Sequence, residues 1–466
     1  MVAYMNILLP EIFLAIVACG MLMIGAFTKC FKHGNILLAL SFAVALFFLL
    51  DKTYVNESMQ FNGLFKMTPL IKLLQALILI SAIIYSLLGS KKQIDGCLVS
   101  RTEIFEFPVL IILAVTGMLL MVAANNFLSF YVSLELQSLC LYVLAAFERE
   151  DSKSSEAGLK YFILGSFASG LLLFGISFIY GFSGNLDFDN LQILLANNPS
   201  NSVAIGIIIG LIMVIIGMFF KVSAAPFHMW TPDVYQGSPT IVTSFFATVA
   251  KVASIGILLR LVSHNFIGWK TELQPIFILI TCLSVLVGAI GALKQSNFKR
   301  MLAYSSIGHV GYMLLAISTF AEDLSVVIYL GIYITMTLGV FTMVMNLKLE
   351  GNDIINIQDL SGLYKDNPWS ALAMAIFMFS LAGIPPFAGF FAKFYVFKTA
   401  VNAGLYLPVI ISIIAAVISA YYYLRIIKLM YLDAASGKFS SEMTYGVKAI
   451  VIGLVMFNSC YMLLSN

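Results

Sequence analysis

VAIGIIIGLIMVIIGMFFKVSAAPFHMWTPDVYQGSPT occupies residues 203 to 240. Residues 203–220 are apolar throughout, a run long enough to cross the hydrocarbon layer of a bilayer as a helix. A helix that merely ended there would give way to a polar loop. Here Lys221 is followed by a second, largely apolar stretch punctuated by Pro226, His228 and Asp233. Proline in a helix interior deletes a backbone hydrogen bond and clashes with the turn before it. Backbone groups freed in this way are tolerated at membrane depth only where protein or a water-filled cavity satisfies them. The stretch therefore predicts a membrane helix broken open beside a lysine.

The rest of the chain agrees with that reading. Its 466 residues are 61% hydrophobic and only 11% charged, against about 25% charged in soluble domains. The class expected is an all-α polytopic membrane protein of about fourteen spans. They fall near 6–27, 34–50, 69–89, 107–124, 127–147, 158–181, 203–230, 239–262, 275–293, 301–320, 324–347, 370–400, 405–430 and 446–464. The seventh and twelfth are long and interrupted by proline. No extramembrane domain is expected, because the longest polar connections are 90–106 and 348–369. Six scattered cysteines (Cys19, Cys30, Cys97, Cys140, Cys282, Cys460) form no CxxC pair, so no disulfide frame, zinc site or iron–sulfur ligation is read. The first apolar run has no basic residue before it and reads as a retained helix rather than a cleaved signal.

Orientation follows from basic residues in short loops. Loops after odd-numbered spans hold Lys29, Lys32, Lys91, Lys92, Arg101, Arg149, Lys153, Lys294, Lys299, Arg300, Lys348, Lys365, Lys438 and Lys448; the opposite set holds little beyond Lys52, Lys66 and Lys270. Both termini are therefore expected on the outer side, the periplasm of a bacterium.

An internal repeat is faint but ordered. NNFLSFYVSLELQSLCLYVLAAF (125–147) aligns without gaps on SNFKRMLAYSSIGHVGYMLLAIS (296–318). Two spans beyond each comes a helix broken at a Pro-Phe pair, Pro226-Phe227 and Pro386-Phe387. The organisation expected is a three-helix segment (1–106), a five-helix repeat (107–262), a second copy (275–430) and a last helix (446–466). An odd number of helices per copy forces the copies into opposite orientations, the inverted-repeat pattern of ion and substrate transporters.

Ionisable residues at membrane depth are expensive. Glu135 lies eight residues past Phe127, mid-span; Lys251 is central in the eighth span and His309 in the tenth. Lys221 closes its apolar run, and Lys393 lies seven residues past Pro386. Each such group costs on the order of 2.5–3.5 kcal/mol, so four or five together cost roughly 10 kcal/mol unless they pair or face water. Lys160 sits near the end of its span, where snorkelling to the headgroups competes with any functional role. Arg260, near a span end, is read as interfacial, and Glu11, Lys72, Arg425 and Lys428 as structural. A desolvated amine binds its proton less tightly, and a nearby carboxylate restores the affinity. A Glu–Lys pair that opens and closes thus takes up and releases a proton. Histidine suits the middle of a relay, its ordinary pKa lying near neutrality.

PFHMWTPDVYQGSPT (226–240), LAGIPPFAGFFAKFYVF (381–397) and the early LLPEIFL (8–14) together resemble the antiporter-like membrane subunits of respiratory complex I, closest to the N type. The resemblance spans essentially the whole chain. It implies proton pumping coupled to electron transfer from NADH to quinone. The family's essential glutamate matches Glu135, its broken-helix lysine Lys221, its eighth-helix lysine Lys251, and its terminal residue Lys393, with Lys160 and His309 on polar positions along the proton path. A glutamate would stand at the Lys393 position in the M type, and the L type carries a long lateral helix after its last span. The resemblance implies no redox centre or metal in this chain; NADH, FMN, iron–sulfur clusters and quinone are expected in other subunits. The partners it implies are the M-type, K-type and J-type subunits and the lateral helix of the L type, with no nucleic acid, in a bacterial inner membrane. Alternatives left open are a subunit of a multisubunit sodium/proton antiporter or membrane-bound hydrogenase, a stand-alone secondary transporter, and a non-pumping spacer.

Overall fold

The structure is a computed structural model that describes residues 8–28, 34–51, 58–60, 63–88, 91–94, 97–100, 104–196, 201–321, 324–435 and 437–464. Lys29, Cys30, Lys32, Lys52 and Arg101 lie outside these, as do the two ends of the chain.

Apolar runs became helices nearly wherever they were long enough. They are α1 (Leu9–Thr28), α2 (Gly34–Leu50), α3 (Pro69–Leu87), α4 (Glu106–Ala123), α5 (Phe127–Ala145), α6 (Ser152–Ser183), α7 (Phe188–Ala196), α8 (Asn201–Val222), α9 (Trp230–Gly237), α10 (Thr240–Ala247) and α11 (Val249–Arg260). There follow α12 (Lys270–Leu293), α13 (Phe298–Ile317), α14 (Ser325–Asn346), α15 (Leu363–Asp366), α16 (Pro368–Ala382), α17 (Ala388–Asn402), α18 (Tyr406–Leu432) and α19 (Tyr445–Leu464). Among the described residues, 11 helical stretches are at least 18 residues long and apolar enough to cross a membrane. The chain is a multi-pass membrane protein. Both expected breaks are present: the helical path stops at Val222 and resumes at Trp230, and stops again at Ala382 and resumes at Ala388. The expected eighth span is also interrupted, at Thr248, between α10 and α11. The expected loop 182–202 contains the short helix α7.

The chain divides into two compact units, 1–222 with 249–270, and 223–248 with 271–466. In the first, α6 packs along α8, α4 along α5, and α11 against α3 and α4. The α6–α8 approach is close enough that a Cβ on Gly175 would lie 2.6 Å from the Gly210 carbonyl oxygen. Such small-residue contacts let membrane helices gain dispersion where the hydrophobic effect gives them nothing. In the second, α14 packs against α16, α17, α19 and α10, while α13 packs against α9, α17 and α18. A small antiparallel sheet joins Leu347–Leu349 to Asn352–Asp353 on one edge and to Phe439–Ser441 on the other.

The Asn-Phe pair shared by the two aligned segments has a structural meaning. Asn126 caps α5, its side-chain oxygen accepting from Leu128 N at 2.8 Å. Asn297 caps α13, accepting from Arg300 N at 3.0 Å. Such a cap satisfies an amide that the first helical turn leaves without a partner. The next residue then ties each helix start to a distant strand-like segment of its own unit. Phe127 N donates to Leu186 O at 3.0 Å, and Phe298 N to Ile355 O at 2.9 Å.

Candidate functional site

In the first unit the site is built on one face of α5. Glu135, Ser138 and Tyr142 stand at i, i+3 and i+7, the spacing that stacks side chains along one side of a helix. Lys221, in the last turn of α8, reaches that face: its Nζ donates to Ser138 Oγ at 2.7 Å and to Tyr142 Oη at 3.1 Å. The ammonium sits 5.5 Å from the centre of the Tyr142 ring, at its hydroxyl edge. Among the described residues Lys221 makes no direct ion pair with Glu135. Lys221 is near enough to the Glu135 carboxylate to feel its charge, and Glu135 Oε1 is a buried atom with no hydrogen-bond partner among the described residues. The two are therefore not in direct contact here: the ammonium rests on hydroxyls one and two turns along α5 from the carboxylate.

Lys251, 2% exposed on α11, donates from Nζ to the Val222 carbonyl at 2.7 Å. Val222 is the last residue of α8, and Ser223 after it has φ +65. The lysine thus takes up a carbonyl that the helix end leaves without an intrahelical donor, at the pole where a cation is favoured.

The second unit repeats the device. α16 ends at Ala382, and Gly383 after it has φ +83. Lys393 on α17, 6% exposed, donates to Leu381 O at 3.0 Å and Ala382 O at 2.8 Å. Its ammonium lies 5.3 Å from the Tyr312 ring centre, and the Tyr312 and His309 rings are 5.9 Å apart. His309, 2% exposed, bonds through Nδ1 to Tyr329 Oη at 2.7 Å and through Nε2 to Tyr423 Oη at 3.2 Å. Tyr423 Oη also shares a hydrogen bond with Ser305 Oγ. A cavity of about 10 Å³ is bounded by Ser305, Tyr333 and Thr337 among others, room for about one water with hydroxyl partners.

Of the residues singled out in the sequence, Glu135, Lys221 and Lys251 fall in the first unit, His309 and Lys393 in the second. Lys160 is in the first unit too, on α6. Its side chain is 42% exposed and pairs with Glu156 one turn earlier on α6 at 2.7 Å. Ser138, Tyr142, Tyr329 and Tyr423 escaped the sequence reading. With 21 tyrosines in the chain a hydroxyl in an apolar run is no signal by itself; the i, i+3, i+7 ladder running from Glu135 was the available clue.

Arg260, read as interfacial, is instead 4% exposed. It donates to the carbonyls of Val122 at 2.9 Å and Ala124, and to Asn125 Oδ1 at 3.1 Å. It closes the end of α4 just before the π-helical turn Leu261–Asn265. Glu11 is likewise buried, its Oε1 accepting from Gln75 Nε2 at 2.8 Å. Arg260→Ala would leave three acceptors without their donor and is expected to cost about 3 kcal/mol. The check is a native gel with thermal denaturation of the assembled complex; unchanged assembly and melting would remove Arg260 from the framework.

These arrangements place the chain in a class: a helical membrane protein with two broken helices, each ending on a buried lysine. The profile described as NADH:quinone oxidoreductase/Mrp antiporter, TM matches residues 124–419, and the chain belongs to that family. Within it, the chain groups with the N-type members. It is 44% identical to the NADH-quinone oxidoreductase subunit N of Rhodospirillum rubrum, over 96% of this chain and 91% of that one. It is 43% identical to subunit N 1 of Rhizobium meliloti, over 97% and 93%. Among solved structures it resembles a chain of respiratory complex I from Thermus thermophilus with bound aureothin, at 31% identity and a TM-score of 0.83, covering 98% of this chain and 97% of that chain. The fold alone is shared with a chain of the Mrp complex from Dietzia, at 18% identity, a TM-score of 0.83, and coverage of 98% and 94%.

Proposed function

We propose that this chain is a proton-translocating membrane subunit of NADH:quinone oxidoreductase, working through two sets of buried groups. The observation that carries the reading is the lysine cap at both breaks, Lys251 on Val222 O and Lys393 on the Leu381 and Ala382 carbonyls. A cation at a helix end inside the membrane couples its own charge to the geometry of the break.

In the first set Glu135 and Lys221 are the switching pair. With the ammonium drawn to the carboxylate, the amine keeps its proton. With it on the neutral hydroxyls of Ser138 and Tyr142, the proton is more easily passed on. Lys251 receives and relays within the same set. In the second set His309, held between two tyrosine hydroxyls, and Lys393 carry the proton further. Lys160 belongs to the path as well, its exposed pairing with Glu156 fitting an entry position.

The rest of the reading follows the family. Gly34–Leu50, Phe298–Ile317 and the broken Pro368–Asn402 stretch also cross the bilayer, making about fourteen spans with both termini periplasmic in a bacterial inner membrane. The five-helix segments 107–262 and 275–430 are inverted copies; the matched caps at Asn126 and Asn297 and the matched breaks support this. The partners are the neighbouring membrane subunits of M, K and J type and the lateral helix of the L type. The redox cofactors reside in other subunits.

Lys251→Ala tests the reading. Quinone reduction and proton uptake by inverted membrane vesicles should both fall about threefold, roughly 0.7 kcal/mol on the barrier, with assembly intact. Unchanged rates would make Lys251 a structural cap and nothing more.

A further inference from the structure

Outside the proton-carrying groups, the first unit holds a cavity of about 560 Å³ where α1, α4 and the end of α5 meet. Its walls include Leu22, Val109, Leu113 and Val143, and its rim includes Glu106 and Arg149. Glu106 is the first residue of α4, and Arg149 lies four residues past the end of α5. Leu113 is seven residues into α4, about 10 Å further along the helix axis. The cavity thus starts at a polar rim where the spans begin and end, and runs about 10 Å down an apolar wall. Leu22 and Val143 are half exposed within it, at 49% and 52%. The Glu106 and Arg149 side chains are exposed and make no ion pair among the described residues.

We propose that this cavity binds one phosphatidylethanolamine, with the phosphate on Arg149, the ammonium on Glu106 and the upper acyl chain along Leu22, Leu113 and Val143. The charges select the headgroup. One cation and one anion on the rim match a zwitterion. A headgroup of net negative charge meets the Glu106 carboxylate as a like charge. A quaternary ammonium has no N–H to donate to it. A guanidinium forms paired hydrogen bonds to phosphate oxygens, the strong form of this contact. The site also has a mechanical consequence: Val143 neighbours Tyr142, which holds the Lys221 ammonium. A bound lipid therefore braces the end of α5 beside the switching pair. This inference does not rest on the proton-carrying reading, since the cavity and its rim would bind the same lipid in a subunit that pumped nothing.

The test uses the assembled complex in nanodiscs carrying a trace of phosphatidylethanolamine with a photoactivatable group on its acyl chain. Illumination and peptide mass spectrometry should place lipid adducts on 104–113 and 143–149. Arg149→Gln should lower that labelling at least fivefold, and Leu113→Trp, which puts an indole in the path of the acyl chain, should do the same. A matched phosphatidylglycerol probe should label these peptides at least fivefold less. Undiminished labelling in Arg149→Gln overturns the proposal, as does equal labelling by phosphatidylglycerol. Cross-linking of these peptides to a neighbouring subunit instead of lipid overturns it too. If Leu113→Trp fails to assemble, Arg149→Gln decides alone, being a change at an exposed side chain.

Discussion

Lys221→Ala is expected to lower quinone reduction and proton pumping together by about a hundredfold, the lower end of what a positioned proton-transfer group contributes. The argument is geometric. Lys221 Nζ, from α8, reaches the face of α5 that carries Glu135, Ser138 and Tyr142. Alanine leaves the Ser138 and Tyr142 hydroxyls without their cation and Glu135 without a counter-charge, so the switching pair ceases to exist. Both activities should fall in step, because a coupled enzyme cannot complete its redox cycle while a proton step is stalled. Glu135→Gln, which keeps shape and removes charge, should give a loss of the same order. The measurement is NADH:quinone reductase activity alongside vesicle acidification, with assembly confirmed on a native gel. Near-normal rates in Lys221→Ala would take the residue out of the mechanism.

Gly383→Ala should approach the effect of removing Lys393 itself, although residue 383 carries no chemistry. Gly383 has φ +83, a conformation that costs an L-residue about 1–2 kcal/mol. The larger effect is steric. A Cβ there would meet Lys393 Cδ at 2.9 Å and Nζ at 3.1 Å, so the lysine end must give way by some tenths of an ångström, straining its bonds to the Leu381 and Ala382 carbonyls. Gly404→Ala supplies the control, because Gly404 has φ +78 with nothing within 4 Å of the added atom. Its backbone strain is similar and its contact with the relay is nil. Turnover should fall about fivefold or more in Gly383→Ala, about 1 kcal/mol or more, and stay near wild type in Gly404→Ala. Equal rates in the two would show that Lys393 tolerates displacement and that its cap is incidental.

Much of the fold was legible because the bilayer imposes length: each apolar run has to be a helix, and Pro226 and Pro386 said where two of them fail. The charged members of the site were legible for the same reason, since Glu135, Lys251 and Lys393 stand out against apolar neighbours. What the sequence hid was partnership across distance. Arg260 lay near a span end and read as interfacial; its acceptors at Val122, Ala124 and Asn125 lie 135 to 138 positions away. The caps offered by Lys251 and Lys393 were equally invisible. Backbone carbonyls belong to every residue, and only the fold decides which of them are left open at a break. The interruption at Thr248 carries no proline and so gave no sign. The Asn-Phe repeat was visible as a pattern, but its cause, an N-cap joined to a strand-like segment at Leu186 or Ile355, emerged only with the backbone in place.

The central claim is that Lys221 moves between two sets of partners, the hydroxyls it holds here and the carboxylate it leaves. A cryo-EM map of the complete complex during turnover, resolving side chains in α5 and α8, tests that most directly. The prediction is two populations, one with Lys221 Nζ on Ser138 and Tyr142 and one with it in direct contact with the Glu135 carboxylate. A single arrangement in every state of the cycle, with Lys221 fixed on the hydroxyls throughout, would contradict it.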